Sequence, residues 1–335
     1  MTERVRVIII GAGSVVGGHA HSYARIPEAE LVGFVDPNRG EELAQRYNVP
    51  LYRSLGDVSP QDYDAIDVCA PTFLHRSFVL EAARLGKPAF SEKPVALNLE
   101  DADAMVRAMG AKNLAFSVGH VVRFFPEYVR AKRAVDDGTL GRVAVARMAR
   151  LSGCPRGWND WYVNRKLSGG TLFDLMIHDI DYVRWVFGPV ERVYAKTLQN
   201  EMNLFDMSLV TLRFKNGTIA HLQGSWAHSG FTTYFELAGS RGLISHDRDS
   251  ENPLSVVTRN PKEVPIHRVE IPDVPSSKSP YQLELESWLA NIIHGTPLLV
   301  TGEDAYEAVR IALAAKQSQD TGMAIEVANP NEDVV

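Results

Sequence analysis

The sequence lacks three features that would place it in a special class of protein. It has only two cysteines, Cys69 and Cys154, far apart and in no CxxC pattern, which excludes a disulfide framework and a cysteine metal site. It has no basic excess, and the formal net charge of −6 argues against a nucleic-acid or anionic-membrane surface. It has no internal repeat or low-complexity tract. These absences favour a cytoplasmic protein whose partner is a small molecule.

Long apolar runs are also missing. The N-terminal run VRVIIIGAG is too short to span a bilayer, and no small-residue cleavage site follows it, so we expect a buried strand and no signal peptide. With 335 residues, of which 45% are hydrophobic, the chain can build a large core. Two domains are more typical of this length than one.

Up to about residue 121, apolar runs alternate with amphipathic helical stretches. VRVIII, ELVGFVD and AIDVCAP read as strands, and EELAQRY, SFVLEAARLG and DADAMVRAM read as helices. This alternation predicts an α/β domain with a doubly wound, mostly parallel sheet over residues 1–122.

From residue 123 on, the pattern changes to that of an α+β domain, which we place at 123–335. A helix is expected to begin near Pro126. Extended segments follow between about residues 190 and 246, with a hairpin turn at the Asn-Gly pair that begins at Asn216. They predict an open, mainly antiparallel sheet. Residues 249–278 are rich in proline and read as an irregular excursion, and two helices end the chain.

The GAG sequence at residues 11–13 lies between a buried strand and a helix, where a dinucleotide pyrophosphate approaches backbone N–H groups. Gly11 allows the tight turn, Gly13 leaves room for the phosphates, and Ser14 and Val15 are further candidates for binding them. The GxGxxG pattern is incomplete, because Val16 stands where the third glycine is usual. An ordinary loop is the alternative interpretation of the glycines alone.

Asp36 ends the next predicted strand and is the candidate for binding the adenosine ribose. A carboxylate there accepts hydrogen bonds from the ribose hydroxyls and repels a 2′-phosphate, which favours NAD over NADP. Arg39 keeps NADP as the less favoured cofactor. The alternative is that Asp36, which precedes Pro37, only starts a turn.

The stretch GGTLFDLMIHDID, residues 169–181, places polar side chains on what reads as a packed helix. On one continuous helix, the spacing i, i+4, i+7 would bring Asp174, His178 and Asp181 together. Two structural interpretations compete with a functional one: Asp174 as part of a capping box, and His178 as a core histidine bonded to Asp174. The neighbouring Asp179 is expected at the surface.

APTFLH, residues 70–75, and SEKP, residues 91–94, each follow an apolar run. Both are expected at the carboxyl edge of the sheet, where ligands bind in open α/β folds. In order with the GAG loop, Asp36 and GGTLFDLMIHDID, they resemble the glucose-fructose oxidoreductase, inositol dehydrogenase and MocA (Gfo/Idh/MocA) family of NAD(P)-dependent sugar and polyol oxidoreductases. The resemblance covers nearly the whole chain.

This resemblance implies an N-terminal Rossmann domain and a C-terminal α+β domain whose open sheet forms homodimers or homotetramers. It implies NAD(P) as the cofactor. Lys93, Asp174 and His178 match the catalytic residues of the family. The cofactor-binding residues that it implies along the two edge motifs are Ala70, Pro71, Thr72, His75, Glu92 and Lys93, of which Thr72, His75 and Glu92 match positions near the nicotinamide.

The expected reaction oxidises a secondary alcohol, so that hydride goes to the nicotinamide while the hydroxyl proton goes to a base. His178 is the expected base, because an imidazole titrates near neutral pH. Asp174 would orient this imidazole, and Lys93 would donate a hydrogen bond to the reacting oxygen. Lys93 considered alone could equally be a solvated loop lysine.

The loop RGWNDWYVNRKLSGG is rich in residue types that bind carbohydrates. Aromatic faces stack on the C–H surface of a sugar, and guanidinium groups bind hydroxyls. A loop packed on its own aromatics is the alternative. No metal is expected, because the only close histidine pair is His19 and His21, which alternate along the first helix. The candidate substrate residues are Lys93, Arg123, Trp161, Arg165, Asp174 and His178.

The leading hypothesis is an NAD(P)-dependent dehydrogenase or reductase that acts on the CH–OH group of a cyclic polyol, sugar or sugar derivative. An NAD-dependent glycosidase that oxidises C3 transiently is one alternative, and a non-catalytic nucleotide-binding regulator is another. The motifs set the reaction class and leave the substrate, its stereochemistry and the direction of the reaction open.

Overall fold

The computed structural model of the protein describes residues 4–199, 206–250, 253–260, 263–271 and 277–327. The strands are β1 Val5–Ile10, β2 Ala29–Val35, β3 Leu51–Tyr52, β4 Ala65–Val68, β5 Ala89–Ser91, β6 Phe116–Val118, β7 Val143–Gly153, β8 Val190–Gln199, β9 Asp206–Phe214, β10 Ile219–Ser225, β11 Ala227–Gly239, β12 Gly242–Asp247, β13 Leu254–Asn260, β14 Glu263–Ile271 and β15 Ile325–Glu326. The helices are α1 Val16–Tyr23, α2 Glu41–Tyr47, α3 His75–Leu85, α4 Leu99–Gly110, α5 Pro126–Asp136, α6 Arg165–Ser168, α7 Gly170–Asp174, α8 Ile177–Phe187, α9 Pro280–His294 and α10 Gly302–Thr321. Short 3-10 helices lie at Leu55–Asp57, Thr72–Leu74, Val121–Phe124 and Trp158–Asp160. Within these described ranges, none of the helices has the length and apolar composition that a bilayer span requires.

The chain forms two compact units. The first comprises the described residues up to Phe124 together with Gly157–Trp161 and Ser277–Val309, and the second comprises the other described residues. These units divide the chain more finely than the expected ranges 1–122 and 123–335. The expected boundary between residues 122 and 123 therefore stays a prediction.

The first unit is built on a six-stranded parallel sheet in the order β3-β2-β1-β4-β5-β6. The prediction of a doubly wound parallel sheet is confirmed. Strand order reverses between β1 and β4, which directs the chain to opposite sides of the sheet. The crevice at the carboxyl ends of these two strands is where ligands bind in folds of this kind.

Helix α9 completes the core of the first unit, although it comes late in the chain. The sequence predicts it from Ser279 to Gly295, and both ends are confirmed: the Ser279 hydroxyl accepts from the Gln282 amide (3.1 Å), and Gly295 has a left-handed φ of 68°. Leu285 and Trp288 are fully buried in the same hydrophobic cluster as residues of β1 and α1.

The second unit contains a nine-stranded sheet in the order β14-β13-β12-β11-β7-β10-β9-β8-β15. Neighbouring strands are antiparallel except β7 and β10, which are parallel. The prediction of an open, mainly antiparallel sheet is confirmed. So is the hairpin between β9 and β10, where Gly217 has a φ of 90°.

The expectation of an irregular segment at 249–278 is wrong for the described part of that range. There β13 and β14 extend the sheet at one end, paired with each other and with β12. Pro265 lies in β14, the outermost strand of the order. An edge strand tolerates proline because one side of it has no ladder hydrogen bonds to lose.

Candidate active site

The glycine loop connects β1 to α1. The Gly11 amide donates to the Val35 carbonyl (2.8 Å), and its φ of +108° is a conformation that suits glycine. A Cβ at this position would lie 2.6 Å from the carbonyl oxygen of Cys69, whereas a Cβ at Gly13 would meet nothing within 4 Å. The turn is therefore tight on its inner side and open on the side where a pyrophosphate would lie.

Val16 occupies the position of the usual third glycine and is the first residue of α1. Its side chain is fully buried in the same hydrophobic cluster as Val7, Ile9 and Ala20. Helix α1 begins at Val16, and the N–H groups of a first helical turn have no intrahelical partner. The departure from GxGxxG thus leaves the N-terminus of α1, where the pyrophosphate is expected, in place.

Asp36 lies next to the glycine loop. One carboxylate oxygen accepts the Ala12 amide (2.9 Å), and the other accepts the amides of Asn38 (2.9 Å) and Arg39 (3.0 Å). The turn expected as the alternative role of Asp36 is therefore present. It holds the half-buried carboxylate beside the loop on which the dinucleotide prediction depends.

His75 links the loops that follow β4 and β5. Its Nδ1 lies 3.0 Å from the carbonyl oxygen of Pro94, and its Nε2 lies 2.9 Å from that of Ala70. Burial lowers the pKa of His75 and keeps the ring neutral near pH 7. A neutral ring has one N–H, so it donates to one carbonyl at a time. Thr72, also buried, starts the 3-10 helix between the motif's proline and His75.

Lys93 stands on the loop after β5, half-buried, and the peptide bond to Pro94 is cis. The Lys93 amide donates to Oε2 of Glu92 (3.0 Å). The Glu92 side chain is 8% exposed, and its other oxygen lies 3.1 Å from Nε2 of His19. The Glu92 carboxylate thus faces the interior of the first unit, while its role at the nicotinamide stays a prediction.

Arg123, a candidate substrate residue, belongs to the first unit, and its side chain is 1% exposed. Its guanidinium donates to the Leu299 carbonyl (2.9 Å) and to the Asp304 carboxylate (3.1 Å). These contacts tie the 3-10 helix at 121–124 to the segment before α10. The structure therefore gives Arg123 a structural role, and its substrate role stays a prediction.

The aromatic loop contributes to both units. In the first unit, Trp161 is 9% exposed, and its ring meets that of Phe73 edge-on at 6.1 Å between centroids. In the second unit, the Arg165 guanidinium lies 3.3 Å from the buried carboxylate of Asp206. Trp158 is more exposed, at 42%. Phe73 lies outside the loop that carries Trp161, so the choice between carbohydrate binding and a loop packed on its own aromatics stays a prediction.

Two left-handed glycines and Asp206 fix the start of α7. Gly169 and Gly170 have φ values of 76° and 68°, and a Cβ on Gly170 would lie 2.6 Å from Asp206 Oδ2. The amide (3.2 Å) and the hydroxyl (2.9 Å) of Thr171 both donate to Asp206. Because Gly169 is the N-cap, the capping-box interpretation of Asp174 is wrong.

The expectation of one continuous helix over 169–181 is also wrong. Helix α7 ends at Asp174 and α8 begins at Ile177, with a wide turn in which the Met176 amide donates to the Thr171 carbonyl five residues earlier (2.8 Å). This turn changes the angular relation on which the i, i+4 argument depends. Asp174 is 7% exposed and His178 is half-buried.

Asp179 was expected at the surface, and this is wrong. Its side chain is 1% exposed and receives two hydrogen bonds from the guanidinium of Arg150 in β7, at 3.0 and 2.8 Å. Burial opposes the charge of Arg150, but the Asp179 carboxylate outweighs it and raises the pKa of the guanidinium. The Tyr128 hydroxyl lies 3.4 Å from the same group. This pair anchors α8, which carries His178, to the sheet.

The first unit therefore fits a dinucleotide: a tight glycine turn, open space at Gly13, a helix N-terminus and Asp36 beside the loop. The sequence matches the family models described as "Oxidoreductase family, NAD-binding Rossmann fold" over residues 5–120 and "Oxidoreductase family, C-terminal alpha/beta domain" over residues 132–327. The chain belongs to the Gfo/Idh/MocA oxidoreductase family. It is accordingly an NAD(P)-dependent oxidoreductase that acts on CH–OH groups.

The chain is similar to proteins with several different named activities. A myo-inositol 2-dehydrogenase of Thermotoga maritima is 29% identical over 335 residues, which cover 96% of this chain and 98% of the relative. A 2,7-anhydro-N-acetylneuraminate hydratase of Mediterraneibacter gnavus is 30% identical over 233 residues, covering 65% of this chain and 61% of the relative. The solved structure of a levoglucosan dehydrogenase in complex with NADH is 21% identical, with a TM-score of 0.88 over 98% of this chain and all of that one, and shows the same fold.

One group at the Gfo/Idh/MocA motifs was missed by sequence reasoning. His19 lies at the centre of a buried polar cluster whose other members come from β4, the EKP loop and α9. Two sets within it, His19-Asp67-Cys69 and His19-Glu92-Glu284, have possible metal-ligand atoms within 4.8 Å of one another. The four segments are far apart in sequence, so only the known strand order could have brought them together. The expected absence of a metal stays a prediction.

Proposed function

We propose that the protein is a cytoplasmic oxidoreductase that transfers hydride between NAD and a secondary alcohol of a cyclic polyol, sugar or sugar derivative. The observation that carries the proposal is the arrangement at the carboxyl edge of the parallel sheet. There His75 links the PTFLH loop to the EKP loop that bears Lys93, next to the glycine turn. The similarity to a myo-inositol 2-dehydrogenase over nearly the whole chain supports the substrate class.

The proposed mechanism assigns each residue a task. NAD, when bound, supplies the hydride acceptor. His178 takes the hydroxyl proton at an imidazole nitrogen, and Asp174, close to it in sequence and buried, orients the ring and stabilises the imidazolium. Lys93 donates a hydrogen bond to the reacting oxygen and stabilises the negative charge that develops there. The reverse reaction uses the same groups with His178 as the acid.

The cofactor preference follows from the position of Asp36. We propose that Gly11, Gly13, Ser14 and Val15 bind the pyrophosphate and that Asp36 binds the adenosine ribose, which disfavours a 2′-phosphate by charge repulsion. Solved relatives in complex with NAD or NADH support NAD.

Replacing Asp36 with asparagine should relax this preference. Asparagine keeps one of the two acceptor oxygens and removes the charge. We therefore expect the ratio of kcat/KM for NAD to that for NADP to fall by about tenfold, which is about 1.4 kcal/mol of discrimination. Steady-state kinetics with both cofactors measure the ratio, and Asp62→Asn, an exposed acid of the same unit, is the control. An unchanged ratio would show that Asp36 does not meet the ribose.

A second candidate function, transient oxidation of the substrate by a cofactor that stays bound, also has an observation in its favour. One relative is named as a hydratase, a reaction class without net oxidation. A transient oxidation with the cofactor kept bound, as in an NAD-dependent glycosidase, would use the same residues.

A panel of polyols, sugars and glycosides, scored both for reduced cofactor and for product, separates the dehydrogenase from the transient oxidation. Accumulation of NADH supports the dehydrogenase, and product without NADH supports the transient oxidation. Normal cofactor binding with no product from any compound would favour the regulator.

The open sheet of the second unit is the proposed surface for a homodimer or homotetramer. Its strands β8, β9 and β10 alternate between buried and exposed residues, and the exposed set includes large apolar side chains. By the strand pairing these side chains lie on one face of the sheet, and exposed apolar side chains gathered on one face are typical of an interaction surface. The members of the set are Tyr194, Leu198, Leu209 and Ile219.

Charges on this patch should dissociate the assembly. We expect wild-type protein to elute as a dimer or tetramer and the double variant Leu198→Arg with Leu209→Arg to elute as a monomer, because two buried, unpaired guanidinium groups would cost several kcal/mol at an interface. Size-exclusion chromatography with light scattering gives the masses. Leu299→Arg, which alters an exposed leucine of the first unit, serves as the control. A monomeric wild type would contradict the proposal.

A further inference from the structure

The buried cluster around His19 has an unusual pattern of hydrogen bonds. His19 Nδ1 lies 2.8 Å from Asp67 Oδ2, and Nε2 lies 3.1 Å from Glu92 Oε1. Both His19 and Asp67 are completely buried, and Glu92 is 8% exposed. A carboxylate can only accept hydrogen bonds, and here it also carries a negative charge. Two negatively charged acceptors therefore favour a proton on each nitrogen of His19, unlike the neutral carbonyls that face His75.

The groups that face His19 from every side are acidic or neutral. The Tyr23 hydroxyl on α1 donates to Asp67 (3.0 Å), and the Cys69 thiol at the end of β4 lies 3.4 Å from both Asp67 and His19. Burial raises the pKa of Cys69 and keeps it a thiol. Burial also opposes the charge of His19, but the Asp67 carboxylate beside Nδ1 raises the pKa of the ring above its ordinary value.

Glu284 on α9 closes the cluster. Its side chain is 2% exposed, a carboxylate oxygen lies within 4.8 Å of ligand-type atoms of His19 and Glu92, and neither of its oxygens has a hydrogen-bond partner within the described part of the chain. Burial and the nearby Glu92 carboxylate raise the pKa of Glu284 well above its ordinary range, so it is neutral near pH 7. Asp67 and Glu92 then remain as the two carboxylates that His19 bridges.

The cluster reaches the proposed catalytic lysine through Glu92. While Oε1 of Glu92 faces His19, Oε2 accepts the Lys93 amide (3.0 Å). The carboxylate is also packed tightly, since a Cβ on Gly119 would lie 3.0 Å from Oε1. A continuous chain of hydrogen bonds thus connects Asp67, His19, Glu92 and the backbone of Lys93.

We propose that His19, as an imidazolium fixed between Asp67 and Glu92, is the positioning residue for Lys93. It holds the Glu92 carboxylate in the one orientation in which its second oxygen accepts the Lys93 amide, and so sets the direction in which the Lys93 side chain leaves the sheet edge. This inference rests on the proposed catalytic role of Lys93.

A metal ion is a poorer occupant of the cluster than a proton. An imidazole binds a metal only when the ligating nitrogen is deprotonated. Both ring nitrogens of His19 already donate to carboxylates, and the positive imidazolium compensates one of their two charges. The second proton on His19 therefore supplies the positive charge that a metal ion would otherwise bring to these carboxylates.

Two substitutions of His19 separate its two hydrogen bonds. The side-chain nitrogen of His19→Gln reaches about where Nε2 lies and can still donate to Glu92, whereas that of His19→Asn reaches about where Nδ1 lies and can donate only to Asp67. We expect His19→Asn to lower kcat by about tenfold to a hundredfold at saturating cofactor, the range seen when a reacting group is misplaced by about an ångström. His19→Gln should recover most of that loss.

The matched control is Tyr23→Phe, which removes a donor to Asp67 but leaves Glu92 untouched. Its kcat should stay within about twofold of wild type, even if its melting temperature falls. The dissociation constant of NAD, measured by tryptophan fluorescence, should change by less than about threefold in all three variants. Rates are compared per folded protein, from circular dichroism. Equal kcat values for His19→Asn and His19→Gln, or a loss only in stability, would overturn the proposal.

A spectroscopic test does not depend on activity. In protein labelled with [15N]lysine, with the Lys93 amide assigned through Lys93→Arg, that amide resonance should shift in His19→Asn and keep its position in Tyr23→Phe. Histidine-selective labelling should show two ring protons on His19 near pH 7. An unshifted Lys93 amide, a neutral His19 ring or a stoichiometric metal in the purified protein would overturn the positioning role. A Lys93 amide that responds to His19 in an enzyme whose rate is indifferent to Lys93→Met would instead overturn the proposed function.

Discussion

Replacing Lys93 with methionine is expected to lower kcat by about a hundredfold to a thousandfold, equivalent to about 2.7–4 kcal/mol, the usual cost of losing one donor to a developing oxyanion. Methionine keeps the length and most of the volume of the lysine stem and removes only the ammonium. The backbone hydrogen bond from residue 93 to Glu92 is unaffected by the side chain. The loss should therefore appear in the chemical step.

The measurement is kcat and kcat/KM on the best substrate from the panel, with NAD affinity determined separately by fluorescence titration. NAD affinity should change much less than kcat, because the interaction is made mainly in the transition state. Lys112→Met is the control, since Lys112 is an exposed lysine of the same unit that contacts the Arg84 carbonyl. Full activity in Lys93→Met would remove Lys93 from the mechanism.

Replacing Asp179 with alanine is expected to lower the free energy of unfolding by about 3–5 kcal/mol. The Arg150 guanidinium would stay buried without its two charge-assisted hydrogen bonds, and the desolvation cost of an arginine is not recovered by one neighbouring hydroxyl. Urea denaturation followed by circular dichroism gives the value. A loss below about 1 kcal/mol would mean that water or a rearranged carboxylate compensates Arg150.

Two comparison variants make the Asp179 result interpretable. Asp136→Ala breaks the half-exposed pair with Lys132 on α5 and should cost only about 0.3–0.5 kcal/mol, since exposed pairs contribute little. The double variant Arg150→Met with Asp179→Leu removes both buried charges, and we expect it to recover most of the stability. If Asp179→Ala fails to fold, recovery in the double variant still tests the explanation.

Much of the fold could be predicted because it depends on local pattern. Alternating strands and helices specify the parallel sheet, the Asn-Gly pair specifies the hairpin between β9 and β10, and Ser279 with Gly295 marks both ends of α9. Each signal lies within a few residues of the structure that it predicts. The two family models, a Rossmann fold and a C-terminal alpha/beta domain, agree with the fold that these signals predict.

The misses have a common physical cause. The start of α7, where the capping-box interpretation failed, depends on Asp206, which lies more than thirty residues after Thr171 and accepts its amide and hydroxyl. The burial of Asp179 depends on Arg150 in β7, and an isolated aspartate in a helix reads as a surface residue. In both cases a tertiary partner overrides a local preference that was assigned correctly.

In the candidate site, too, the local motifs could be predicted and the tertiary contacts could not. The motifs located the loops at the sheet edge, but they gave no information on how these loops are fixed. His75 was expected near the cofactor, and the structure shows its ring linking two backbone segments. His19 was considered as a metal ligand together with His21 and set aside because the two alternate along the helix. Its actual partners could not be predicted, because they lie on segments that meet only after folding.

The late arrival of α9 in the core of the first unit affects the order of events during translation. Leu285 and Trp288 cover apolar surface of β1 and α1, which leave the ribosome long before α9. That surface stays uncovered while more than two hundred further residues are made. Chaperones that bind apolar surface are therefore expected to bind the nascent first unit. A fragment that ends at residue 122 would keep this surface exposed.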